Sequence, residues 1–278
     1  VRPQITCGTH ALTVALFALL RPGDTLLSAT GRPYDTLEQV IGIAEGGGGS
    51  LAEFGVRYRD VPLRDGREID YAALESALQA RPKVVYAQRS RGYGEREGLS
   101  CAQLCELYAF VKRVSPASYV VVDNCYGEFL ETSEPKADLL VGSFIKNPGG
   151  GLADTGGYIA GSAACVELAA CRLTSPGIGG EMGATLDQTK KMLRGLFYAP
   201  HTVLQALKTA AFAAMSWKGS ASRCRPARLR GGWTLCSRFI SAANASSSLS
   251  AAAFRPGLRW TRSPSPSRGT CPAISTKS

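Results

Sequence analysis

The chain has 278 residues, 45% of them hydrophobic and 19% charged, with a formal net charge of +10. That length suits one large or two modest domains, and no apolar run approaches the ~18–20 residues of a membrane span, nor does a basic-then-apolar leader open the chain, so a cytoplasmic protein is expected. Nine cysteines without metal-ligand spacing and only two histidines argue against a metal site or a disulfide framework.

In chain order, residues 9–20 read as a helix, 25–28 as a short strand, 35–43 as a helix and 56–61 as a strand. Asp70 is placed to cap a helix over 71–79, a strand follows over 83–87, and Ser100 is placed to cap a helix over 100–114. The run Val120-Val121-Val122-Asp123 lacks polar alternation and reads as a strand buried on both faces. Leu139-Leu140-Val141-Gly142-Ser143-Phe144-Ile145-Lys146 reads the same way, and each run ends in one ionisable residue. A further strand over 156–160, an Ala-rich helical stretch around Cys165 and Cys171, and one long or two consecutive helices over 181–214 complete the ordered part. Strand and helix alternate, which predicts an α/β domain with a mainly parallel sheet and helices on both faces.

Strand ends in such sheets collect ligands, and here they offer a carboxylate, Asp123, and an amine, Lys146. Pyridoxal 5'-phosphate enzymes need that pair, a lysine for the aldehyde and an acid facing the pyridine nitrogen. The alternative is plainer: Asp123 caps the next helix and Lys146 lies in an ordinary Gly-rich loop. Three features favour the first reading. Thr6-Cys7-Gly8-Thr9-His10 opens an apolar helix whose free N–H groups suit a phosphate, with Ser143 able to add a hydroxyl. Tyr34, in a turn, can stack on a ring, and Tyr126 can hydrogen-bond a ring oxygen. Arg89 and Arg91 are candidates for a substrate carboxylate or the phosphate, with exposed loop charges as the equal alternative.

The segments Cys7-Gly8-Thr9-His10-Ala11, Ser28-Ala29-Thr30-Gly31-Arg32-Pro33-Tyr34-Asp35, Gln88-Arg89-Ser90-Arg91-Gly92-Tyr93, Val122-Asp123-Asn124-Cys125-Tyr126-Gly127-Glu128-Phe129 and Gly142-Ser143-Phe144-Ile145-Lys146-Asn147-Pro148-Gly149 resemble the methionine gamma-lyase-like, aluminium resistance family. That family belongs to the Cys/Met-metabolism group of fold type I pyridoxal phosphate enzymes. The resemblance runs from Val1 to about Ala214. It implies a carbon–sulfur lyase acting on a sulfur-containing amino acid, working as a homodimer or homotetramer. Lys146 would form the Schiff base, Asp123 would partner the pyridine nitrogen, Tyr34 would stack, and Gly8, Thr9 and Ser143 would lie at the phosphate. Cys7 stands where the family pattern leads one to expect Ser, and the family carries a further N-terminal segment ahead of this turn.

From Ser216 onward the composition changes to Ser, Ala, Arg and Pro, with no Asp or Glu and eleven of the 32 basic residues, leaving 21 basic against 22 acidic residues upstream. The net charge thus belongs to this stretch. A nucleic-acid-binding arm and plain disorder are two explanations of such a block. A reading-frame shift near Met215 fits better. Joining the third base of each codon to the first two of the next, Met215 to Arg228 can encode ELEGLGFPVSPRP and Gly257 to Ser275 can encode APVDSFAQPEPWDMPGYQ, both resembling the family's C-terminal domain. The expectation is therefore an incomplete cofactor domain over 1–215 and a low-complexity basic tail over 216–278. Such a chain is either a lyase or an inactive fragment of one.

Overall fold

The computed structural model describes residues 1–44, 48–92, 94, 96–181 and 183–216. The expected tail, 216–278, and its boundary therefore lie outside the described residues apart from Ser216, the last residue of a helix.

Six strands form one sheet in the order β2-β1-β3-β4-β5-β6: β1 Thr25–Ser28, β2 Arg57–Asp60, β3 Val84–Gln88, β4 Tyr119–Asp123, β5 Leu139–Ser143 and β6 Gly157–Gly161. All neighbours pair in parallel except β5 and β6, which are antiparallel. Strands β3 and β4 are buried almost throughout because they sit centrally with helices over both faces. Alternate side chains divide between two cores. Val84, Tyr86 and Val121 face one that includes Leu12 and Leu16; Val85, Ala87, Val120 and Val122 face the other, with Leu74, Leu104 and Leu107. Each fully buried leucine contributes roughly 1.5–3 kcal/mol.

Helices α1 Gly8–Leu19, α2 Asp35–Ile41 and α5 Ala163–Leu173 serve the first core, while α3 Tyr71–Leu78 and α4 Cys101–Val114 serve the second. The caps read from sequence are present. Asp70 accepts from Ala73 N–H at 3.0 Å, and Ser100 with Gln103 forms a reciprocal capping box. Residues 181 and 183–188 stay out of the helix expected there; α6 is a single helix, Thr189–Ser216, with Pro200 inside it. His201 lies in the middle of this helix. Among the described residues, no helix is long and apolar enough to cross a membrane.

Candidate active site

The sheet register sets the site. Gln88 at the end of β3 is level with Asp123 at the end of β4, and Asp123 is level with Val141 of β5. Parallel strands bring these three ends to one edge, and the first turn of α1 comes against them. A Cβ added at Gly8 would lie 2.8 Å from Cys125 Sγ, 3.6 Å from Ser143 Cβ and 3.7 Å from Lys146 Nζ. Glycine is required there by close approach, not by an unusual φ. Ser143 and Lys146, from one segment, meet around Gly8, from a distant one.

Asp123 is buried and its two carboxylate oxygens have separate donors: Cys125 N–H at 3.0 Å to Oδ1 and the Tyr86 hydroxyl at 3.4 Å to Oδ2. Burial pushes its pKa up, opposed by the Lys146 charge and these hydrogen bonds. Lys146 does not sit at a strand end. Strand β5 stops at Ser143, and Lys146 lies in the following turn, ahead of a short 3-10 helix over Asn147–Gly149. Its ammonium lies 4.3 Å from the centroid of the Tyr126 ring, so the ring expected to bond a cofactor oxygen here faces the lysine. Burial works to lower the Lys146 pKa, but the acids around it, Cys125, Tyr126 and Asp123, outweigh burial and hold it above its ordinary value. Burial also pushes the Cys125 thiol well above its ordinary value.

Tyr126 takes a left-handed φ of 68°, which turns the chain sharply after Asp123. Tyr34 caps the start of α2 with its backbone. Its hydroxyl lies 3.0 Å from Thr9 Oγ1, and its N–H donates to Gln88 Oε1 at 3.3 Å. Thr9 also faces Thr36 at 3.3 Å. At the start of α1, His10 N–H donates to Cys7 Sγ at 3.4 Å, so Cys7 fills the capping place that a serine would take. His10 in turn accepts from Thr6 N–H through Nδ1 at 3.2 Å.

The reading of Arg89 as a substrate arginine is corrected. It is among the largest fully enclosed side chains, and its guanidinium meets Glu134 at 2.8 Å, Glu131 at 2.9 Å and Asn124 Oδ1 at 2.6 Å. A buried guanidinium needs such partners, and these occupy it inside the fold. Arg91 is half-buried in the turn leading to Gly92. Three residues that sequence reasoning passed over belong to the site. Tyr86 is a polar side chain in an otherwise apolar central strand. Cys125 lies two residues past Asp123. Arg96 donates to the Gln88 carbonyl at 2.7 Å, and burial lowers its pKa to about 10. Among the described residues, no cluster of His, Cys, Asp and Glu is arranged to hold a metal.

Protein YnbB of Bacillus subtilis is 50% identical to this chain over 218 residues, which are 77% of this chain and 52% of YnbB. A solved structure from Listeria innocua of a protein involved in aluminum resistance superposes with a TM-score of 0.76 at 51% identity, covering 79% of this chain and 54% of that one. The carbon-sulfur lyase involved in aluminum resistance from Clostridium novyi superposes at 0.75 with 45% identity, covering 79% and 54%. The chain thus spans about half the length of these relatives. The sequence profile described as methionine gamma-lyase matches residues 1–231, past Met215, and by that match over the greater part of its length the chain belongs to the methionine gamma-lyase family.

Proposed function

We propose that this chain carries the cofactor site of a pyridoxal 5'-phosphate-dependent lyase that breaks a carbon–sulfur bond in an amino acid. The observation that carries the reading is the electrostatic pairing of a buried carboxylate, Asp123, with Lys146, whose amine lies beside Gly8 at the start of α1.

The residues fit the cofactor. Gly8 leaves a cradle that a Cβ would fill, bordered by Ser143 and the amine of Lys146. A buried carboxylate whose pKa burial raises gains most from a cationic partner, and a protonated pyridine nitrogen is one. Lys146 would hold the aldehyde carbon, Asp123 the ring nitrogen, and Gly8, Thr9 and Ser143 the phosphate, with Tyr34 and Tyr126 beside the ring. When bound, the cofactor supplies an electron-withdrawing ring that eases bond breaking at the substrate's α-carbon.

This chain's residues would do the remaining work. Asp123, fixed by Cys125 N–H and the Tyr86 hydroxyl, would supply the negative charge that keeps a ring nitrogen protonated. Lys146 would serve as the base for the α-proton, with Tyr126 and Asp123 beside it to stabilise the charge it gains. A sulfur-bearing substrate and a homodimeric or homotetrameric assembly belong to the same proposal through the family. The test is direct. Mixing the chain with pyridoxal phosphate should give a visible absorbance that borohydride fixes as a mass increment on Lys146, and Lys146→Ala should show neither. An absorbance that survives in Lys146→Ala would remove that residue from its role.

A further inference from the structure

Beneath the site lies a buried polar network that the reaction does not use directly. Glu128, 4% exposed, accepts the Tyr158 hydroxyl of β6 at 2.8 Å through Oε1, and Oε2 has no hydrogen-bond partner among the described residues. The Tyr158 oxygen accepts from Asn124 Nδ2 at 3.0 Å, and Asn124 follows Asp123 directly. The Glu128 main-chain carbonyl accepts from Asn147 Nδ2 at 3.0 Å, and Asn147 follows Lys146 directly. Asn124 is tied to β5 as well, its N–H donating to the Val141 carbonyl at 2.8 Å. Room for this arrangement is built in: a Cβ at Gly142 of β5 would lie 2.5 Å from Glu128 Oε1 and would collide with the Tyr158 ring.

We propose that Glu128 is a positioning residue for the lysine, one side chain and one carbonyl that lock the turn carrying Lys146 to the turn carrying Asp123. The proposal rests on the lyase reading only for its purpose; the lock itself exists without a cofactor. Glu128 faces Tyr158 of β6, Asp123 of β4, and Cys125 and Glu134 of the turn and loop after β4, while the nearby Arg89 pairs with Glu131 and Glu134. The acid is therefore held neutral, its pKa pushed up to about 8, chiefly by burial. Ionisation would place a charge on an oxygen with no partner in the interior, and the lock should loosen as pH rises past that value. The sign for stability follows. A group whose folded pKa exceeds its unfolded one contributes fully below the unfolded carboxyl value of ~4.3 and loses that contribution as pH rises to the folded value.

The test uses the whole chain without cofactor. Reductive methylation with formaldehyde and borohydride, read by mass spectrometry at Lys146, reports how firmly the amine is held. Glu128→Gln keeps shape and neutrality and should match the wild type at neutral pH. Glu128→Ala and Asn147→Ala should each speed labelling by roughly fivefold, the equivalent of about one net hydrogen bond. The wild type should show a step in labelling near its Glu128 ionisation that Glu128→Gln lacks, and its melting temperature should fall relative to Glu128→Gln between about pH 4 and about pH 8 and no further above. Labelling in Asn147→Ala and Glu128→Ala equal to wild type, or a step that persists in Glu128→Gln, would overturn the proposal. Failure of pyridoxal phosphate to bind would sink the lyase reading and leave these results standing.

Discussion

A methyl group added at Gly8 tests the packing of the site most sharply. The new Cβ would lie 2.8 Å from Cys125 Sγ, against the ~3.5–4.0 Å at which such atoms pack. Neither side can easily give way. Gly8 is locked in the first turn of α1, and Cys125 is anchored by its N–H to Asp123. Overpacking of this kind costs about 1–3 kcal/mol, offset by up to ~1 kcal/mol from alanine's better helix propensity, so Gly8→Ala should lose ~1–2 kcal/mol. Cys125→Ala removes the obstructing sulfur and by itself costs about 1 kcal/mol as a small core deletion. The two together should be no less stable than Cys125→Ala alone, a coupling of about 1–2 kcal/mol in a double-mutant cycle. Urea denaturation of the four unliganded proteins measures it. Affinity for pyridoxal phosphate should stay reduced in the double variant, because the methyl remains 3.7 Å from Lys146 Nζ. Additive effects, within about 0.5 kcal/mol, would refute the assigned contact.

Arg89→Met removes the cation that Glu131 and Glu134 share, and because both acids keep some access to solvent a loss of about 1–3 kcal/mol in unfolding free energy is expected; a change within about 0.5 kcal/mol would show that the pair is not built as described. Asp123→Asn leaves the buried Lys146 ammonium without its neighbouring carboxylate, so the unliganded protein should melt below wild type, and in a full-length protein of this family elimination turnover should fall by about 10²-fold or more. Undiminished turnover would end the role given to Asp123.

The sheet was legible because its central strands are apolar without alternation, as in Val84–Gln88 and Tyr119–Asp123, and the caps because Asp70 and Ser100 act on residues three positions away. Asp123 as a strand end and Gly8 as a helix start were legible for the same local reasons. Lys146 was misplaced at a strand end because Phe144 and Ile145 prolong the apolar run, although Ile145 is 47% exposed and the ladder has already stopped at Ser143. The reversal at β6 follows from a connection over 144–156 that has no α-helix to carry a parallel crossover, only a three-residue 3-10 turn. Arg89 shows the harder limit. A guanidinium reads the same whether it meets a ligand or the fold, and its acidic partners lie 42 and 45 residues away. The Glu128 network was invisible for the same reason, since Tyr158 is 30 residues further along.

The order in which the chain is synthesised sets a constraint on the first helix. Arg2 pairs with Gly157, and α1 packs against β5, β6 and α5 as well as α2, so a part of its surface finds its neighbours only after about 150 more residues have been made. At ~5–20 residues per second, that leaves the apolar face of Leu12, Val14, Ala15 and Leu16 uncovered on the ribosome for on the order of 10–30 s. Trigger-factor-like holdases would find a binding site there during synthesis, and refolding from denaturant should show α1 docking as a late, slow phase.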